Sequence, residues 1–314
     1  MIYYIFKRMI SIIISIAVVF TFLYMILTMA IPEYWGNLPF KENLSLAWEN
    51  YKDYVYGIIK DFDFGKSSDH KDVWTLVWPK FKLSMIYNLT ALAVFVPAGI
   101  ILGLVAAIYK NKIADVLIST FAMVFNSIPA FLLIFFLVIY VGYVWRLLPP
   151  IAPAYSAPLG RQILGLIIPV FALSAGPTGK IAQIIRGELI EISQSDHFLL
   201  VRCKGLKRNQ ALIRHGLKES LVSAVPEIIP TFMMMIGFSF VVEQTYNVFG
   251  ISKLLIDSLI IKGEFYNILD IDVPVVVAIG ILFYAIILIA SLFTDVFITF
   301  IDPRIRMVKT KKRH

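Results

Sequence analysis

Gly65-Lys66-Ser67 is the first triplet in this 314-residue chain whose residue types could do chemistry. A phosphate-cradling loop ends in Gly-Lys-Ser or Gly-Lys-Thr, and it needs a further glycine five residues ahead of its second one. Lys60 stands at that place, so nucleotide binding is rejected here. The four histidines, His70, His197, His215 and His314, have no Cys, His or Asp at metal-site spacing. Cys203 is the single cysteine, which excludes an intrachain disulfide. No nucleophile stands at a recognisable spacing from a base. Glu227 interrupts an otherwise uncharged apolar run. An acid inside a membrane segment is a functional candidate by default, and the plainer reading places it near the inner end of its helix beside a group that satisfies it. Asn126, Ser127 and the adaptable methionines Met233, Met234 and Met235 are further candidates for lining a solute path. Packed or lipid-facing positions are the plainer reading for each.

The elements that would carry these groups are apolar. The chain is 59% hydrophobic and 16% charged, well short of the quarter or so that soluble domains carry. Nearly uncharged runs cover 9–31, 83–109, 116–145, 162–179, 220–242 and 273–294. About 20 apolar residues span a bilayer as a helix, which satisfies its own backbone groups, so six transmembrane helices are expected. The run at 162–179 is short and is expected to extend past Lys180. The first run is longer than a signal-peptide core and ends at Ala30-Ile31-Pro32 without a small-residue cleavage pattern, so it reads as a retained helix. Prolines at 97, 129, 169, 177, 226 and 230 predict kinked helices. With the N-terminus inside, the inner segments hold 18 Lys and Arg, and the outer segments hold 11 together with 13 Asp and Glu. That asymmetry puts both termini in the cytoplasm. It also accounts for the net charge of +8 without nucleic acid.

Between the spans, residues 32–82 form a long outer segment rich in Trp and Tyr, expected to fold into short amphipathic helices at the membrane surface. Its aromatics fit an interfacial belt. Residues 145–161 read as a proline-rich outer loop, and 243–272 as an outer segment with one amphipathic helix. The tail from Arg304 reads as a cationic anchor on inner-face lipid.

The inner connection at 180–219 is the only one of any size, and it carries eight Lys or Arg. Its apolar positions, Leu189, Ile190, Ile192, Phe198, Leu199, Val201, Leu206, Leu212, Ile213 and Leu217, suit short amphipathic helices. Gly205 is placed to end one helix in the left-handed conformation, and Asn209 to cap the next. A basic loop on anionic lipid explains the charge. The helical spacing and the placed break ask for more, and a docking element for a cytoplasmic partner supplies it.

Arg202-Cys203-Lys204-Gly205-Leu206, with His215 ten residues after Gly205, resembles the coupling loop of bacterial ABC importer permeases. The branch is the oligopeptide, dipeptide and nickel type, and the subunit is the first of its two permeases. Asp63-Phe64-Gly65-Lys66-Ser67, Glu243 through Gly250-Ile251, Asp272-Val273-Pro274, Asp295 and Asp302-Pro303-Arg304-Ile305-Arg306 resemble further motifs of that branch, in order. Departures are Cys203 for alanine, Leu199 and Leu200 for polar residues, Glu219 for Asn, Ser223 for Pro, and Phe249 and Ser252 in the outer segment.

The resemblance implies an all-α, six-helix permease of the type I importer fold in the bacterial cytoplasmic membrane. Residues 1–31 would form the first helix, 32–82 an outer subdomain, 83–302 a five-helix core and 303–314 a basic tail. The implied partners are a second homologous permease, two cytoplasmic ATPases that bind MgATP, an external substrate-binding lipoprotein and membrane lipid. This chain would hold no cofactor and catalyse nothing. Arg202, Lys204, Gly205, Leu206, Arg214 and His215 would couple it to the ATPases, and Asn126, Ser127, Glu227 and Met234 are the path candidates. Oligopeptides are the first expectation for the solute, and nickel or a metal chelate the second. An ATPase-independent secondary transporter is the rival from another class; its paired broken helices and buried carboxylates are not evident. An intramembrane enzyme would need His, Asp or Ser clustered at one depth, and no such cluster is read.

Overall fold

The computed structural model describes residues 2–30, 40–154, 156–259 and 271–301. Tyr34, Trp35, the closing motif from Asp302 and the tail 303–314 lie outside the described residues. Eleven helices appear among the described residues: α1 (Ile2–Ala30), α2 (Phe40–Asp61), α3 (Val73–Ile108), α4 (Ile113–Ser127), α5 (Ala130–Leu137), α6 (Leu159–Ile192), α7 (Asp196–Cys203), α8 (Arg208–Ala211), α9 (Leu217–Thr245), α10 (Ile251–Leu259) and α11 (Val273–Ile301). Short π-helical stretches, Val138–Val144 and Leu212–Gly216, extend α5 and join α8 to α9. The fold class is therefore all-α, with one isolated bridge, Lys66 to Asp72, among the described residues.

Among the described residues, five helical runs are long and apolar enough to cross a membrane, and a sixth is present if α4 and the α5 run count as one broken span. Those two meet at 101° rather than at the kink expected from Pro129. The cause is local. Pro129 brings no N–H and forces Ile128 out of the helical region, to φ −89° and ψ 117°. Ser127 Oγ donates back to Met123 O at 2.8 Å, which satisfies one carbonyl at the break. Other runs outgrow their sequence limits. Helix α6 reaches Ile192, and the run from Arg208 to Thr245 is continuous over 38 residues. The inner connection therefore narrows from 180–219 to the residues between Ile192 and Arg208.

The chain packs as two units. The first comprises 1–84 with 249–292, and the second 85–248 with 293–314. In the first unit α2 is a single amphipathic helix, and two of the tyrosines assigned to an interfacial belt pack against α1. Tyr54 stacks on Tyr24 at 5.2 Å, and the Tyr51 and Thr21 hydroxyls are 2.5 Å apart. Burial pushes the Tyr54 phenol well above its ordinary pKa, and its hydroxyl donates to Phe64 O at 3.0 Å. Val73, Val77, Ile251, Val275 and Ile279 form an apolar core between α3, α10 and α11.

The segment 63–72 is a turn in that unit. Asp63 Oδ1 accepts from the Gly65 N–H at 2.8 Å, and Gly65 sits at φ +76° against the Tyr54 ring. Ser68 donates both its N–H and its hydroxyl to Asp272 Oδ2, each at 2.9 Å, from 204 positions away. Two motifs that look independent in sequence are thus one clasp. Hydrogen bonds to a charged group are worth about 1.5–3 kcal/mol each. Asp272→Ala is expected to destabilise this unit by roughly 3 kcal/mol on that scale. Limited proteolysis at Phe62, Phe64 and Trp74 reads the loss; cleavage at the wild-type rate would show that the clasp holds nothing.

In the second unit the helices approach at glycines. A Cβ on Gly99 or Gly103 of α3 would lie 2.6–3.0 Å from α6 atoms at Ile181, Ala182, Ile185 or Thr178. One on Gly179 of α6 would lie 2.7 Å from Ala122 O on α4. Lipid supplies no hydrophobic drive between membrane helices, so close backbone contact of this kind holds them.

Candidate functional site

Helices α4 and α6 run antiparallel. Ala122 meets Gly179, Phe125 meets Gly176, and Asp115 meets Arg186. The last contact is a two-pronged ion pair: Arg186 Nε and Nη2 donate to Asp115 Oδ1 and Oδ2 at 2.5 and 2.9 Å. Asp115 is buried, and its Oδ2 also accepts from the Asn111 N–H at 2.9 Å. That bond secures the α3–α4 turn, where Asn111 sits at φ +63°. Neither residue stands out in the sequence, because two charges at opposite ends of two apolar runs carry no local pattern.

The C-terminal end of α4 and the middle of α6 line a cavity of about 410 Å³. Its walls are the α4–α5 break (Phe125 to Ala130), one face of α6 (Ala172, Leu173, Gly176, Pro177, Lys180) and one face of α9 (Thr231, Met234, Met235, Phe238). Three of the four path candidates, Asn126, Ser127 and Met234, line it together. The break places the first two there, since it ends α4 and turns its last residues inward to the cavity. Glu227 is not in the lining, but it pairs with Lys180, which is. Lys180 is thus the neighbour expected to satisfy it, and Glu227 lies in the first half of α9 (Leu217–Thr245). Thr231, one turn beyond Glu227, was not singled out from the sequence. Its hydroxyl is buried with no hydrogen-bond partner among the described residues.

At the end that the charge asymmetry assigns to the cytoplasm, Ser195 caps α7 by accepting from the Phe198 N–H at 3.3 Å. Asp196 in its first turn and Arg202 in its last suit the helix dipole. Helix α7 buries Phe198 and Val201 and leaves Leu199 and Leu200 at 51% and 65% exposure. Gly205 follows at φ +89°, with its N–H donating to Arg202 O at 2.9 Å. A Cβ there would touch nothing within 4 Å, so the backbone angle alone requires glycine. The next helix is capped by Lys207, not Asn209. The Lys207 N–H donates to Gln210 Oε1 at 3.3 Å, and Asn209 already lies in the first turn. Beneath, Gly216 packs on Leu189 and Leu212, both fully buried. Arg202, Lys204, Gly205, Arg214 and His215 are all exposed, and Leu206 is half-buried. Ile213, at 49% exposure, adds to the apolar surface offered by Leu199 and Leu200. Sequence reasoning placed Leu199 and Ile213 on amphipathic helices without telling which face they take, and met Leu200 only as a departure from the family pattern.

The second unit thus combines apolar helices, a cavity between α4, α5, α6 and α9, and an exposed helix–turn–helix. Residues 99–307 match the family described as binding-protein-dependent transport system inner membrane component, and the chain belongs to that family. It is a multi-pass protein of the bacterial cytoplasmic membrane. It is 26% identical over 324 residues to the oligopeptide transport system permease protein OppB of Haemophilus influenzae, covering 98% of this chain and 100% of that one. Identity to OppB of Salmonella typhimurium is 30% over 278 residues, 88% and 86% of the two chains. Identity to the dipeptide transport system permease protein DppB of Lactococcus lactis subsp. cremoris is 27% over 262 residues, 83% and 81% of the two chains. Among solved structures, an inward-facing conformation of the MetNI methionine ABC transporter aligns at a TM-score of 0.48 and 16% identity, over 72% of this chain and 94% of that one.

Proposed function

We propose that this chain is one permease subunit of an ATP-driven peptide importer, and that it carries no catalytic site of its own. The observation that bears most weight is collinear similarity to oligopeptide and dipeptide permeases, in one case over 98% of the chain. The partners are a second homologous permease, two cytoplasmic ATPases that bind MgATP and an external substrate-binding lipoprotein. Nickel or a metal chelate is the weaker reading of the solute, because the relatives above are named for peptides.

Two features of the molecule support the reading. The α7 turn offers Leu199, Leu200 and Ile213 among exposed cations. Exposed charge pairs bring about 0–1 kcal/mol each, so the apolar side chains dominate docking to an ATPase and the cations orient it. Arg202, Lys204, Arg214, Leu206 and His215 belong to that contact, and Gly205 sets the angle between its two halves. ATP-driven closure of the ATPases carries the turn with it and switches the bundle between two states, which changes access to the cavity lined by Asn126, Ser127 and Met234.

The test is co-purification of the tagged chain with ATPases in mild detergent, together with uptake of a labelled peptide. Wild type is expected to retain ATPases, and Leu199→Glu with Leu200→Glu to lose them with the chain still membrane-inserted. Peptide uptake that survives deletion of every candidate ATPase would sink the reading.

A further inference from the structure

Lys180 of α6 and Glu227 of α9 form an ion pair whose side chains are each about a third exposed, 33% and 36%. The Asp115–Arg186 pair differs, because its acid is 4% exposed and is locked by further bonds. At a third exposure the Lys180–Glu227 pair is screened by solvent, and its net contribution to stability is small. Lys180 lines the cavity while its ammonium is held by Glu227, so the pair stands at the cavity wall.

What can enter is restricted by charge. A solute carboxylate that takes Lys180 strands Glu227, and a solute ammonium that takes Glu227 strands Lys180. A stranded charge inside a membrane bundle is costly. A molecule that carries both charges replaces both contacts at once and strands neither. A peptide with free termini is such a molecule, and it also brings amide groups. Thr231, four residues beyond Glu227 on the same helix, lines the same cavity with a buried hydroxyl that has no partner among the described residues. That hydroxyl can donate to a peptide carbonyl or accept from an amide N–H.

We propose that the Lys180–Glu227 pair opens to admit a zwitterion, with the solute carboxylate on Lys180, its ammonium on Glu227, and Thr231 on an intervening amide. No covalent step is involved. The proposal rests on the peptide reading above and adds to it that the permease itself, and not only the external binding protein, selects for two free termini.

The experiment uses the complete transporter in proteoliposomes, with trialanine, trialanine amide and N-acetyl-trialanine as probes. Wild type is compared with the doubly neutral variant Lys180→Gln/Glu227→Gln, which leaves no unpaired charge and so avoids the folding loss expected of either single change. The same binding protein serves both, so a changed preference belongs to the permease. The preference for trialanine over each blocked form is expected to shrink about tenfold in the variant. An unchanged preference, or a parallel decline of all three probes, would overturn the exchange while leaving peptide import standing. Failure of wild type to take up trialanine in any form would overturn the peptide reading itself.

Discussion

Arg186→Ala is expected to cost about 3 kcal/mol in the assembled protein, at the low end of the range for breaking a buried ion pair. The acid left behind is the reason. Asp115 is almost wholly buried and loses both prongs of the guanidinium, at 2.5 and 2.9 Å. The Asn111 N–H at 2.9 Å and the Ser119 hydroxyl at 3.3 Å remain to it, which keeps the cost from the top of that range. The damage should spread along α4, because the same carboxylate anchors the α3–α4 turn. Asp115→Leu combined with Arg186→Met should recover most of the loss, since replacing both partners removes the stranded charge. The measurement is the unfolding midpoint in detergent of Asp115→Leu, Arg186→Met and the two together, read as a cycle, with Arg186→Ala alongside. If the double variant were as unstable as Arg186→Ala, the packing of the side chains and not their charges would hold this crossing.

The contrast between what could and could not be read from the sequence follows the range of each interaction. Span positions were legible because a bilayer's thickness demands long apolar runs, and those runs are contiguous. Gly205 was legible because a left-handed C′ residue is set by its own φ, now seen at +89°. Asn126, Ser127 and Met234 were legible as polar or adaptable residues in apolar runs, and they do line one cavity. The failures are relations between distant segments. Pro129 reads the same whether its helix kinks or breaks by 101°, because packing of the two arms decides the angle. Lys180 looked like a mere boundary residue, since its pairing with Glu227 depends on the rotation of α6 against α9. The bond of Ser68 to Asp272 crosses 204 positions with no local sign. Asn209 failed as a cap for a smaller reason: Gln210 reaches the Lys207 N–H and starts the helix two residues earlier than a side-chain cap at Asn209 would.

Gly205→Pro is expected to abolish ATP-driven uptake while the complex still assembles in the membrane, with ATP hydrolysis continuing unlinked to transport. Three local effects combine. Proline fixes φ near −65°, about 150° from the observed +89°. It removes the N–H that donates to Arg202 O at 2.9 Å. It also pushes the preceding residue toward extended backbone, away from the φ −75° and ψ 8° that Lys204 adopts. The turn between α7 and α8 therefore cannot keep its angle, and Leu199 and Leu200 are re-aimed relative to Ile213. Gly205→Ala is the graded control. Nothing lies within 4 Å of the added Cβ, so only the left-handed backbone opposes it, at about 1–2 kcal/mol. That variant should keep coupling with a lowered rate. The readout is the ratio of solute moved to ATP hydrolysed in proteoliposomes. A wild-type ratio in Gly205→Pro would mean that the ATPase stroke enters the bundle elsewhere, most directly through the inner ends of α6 and the Arg208–Thr245 run that flank this turn. Loss in Gly205→Pro with retention in Gly205→Ala would instead assign transmission to the fixed angle of the turn, because the two variants share the added Cβ and differ in whether that backbone angle can be reached at all.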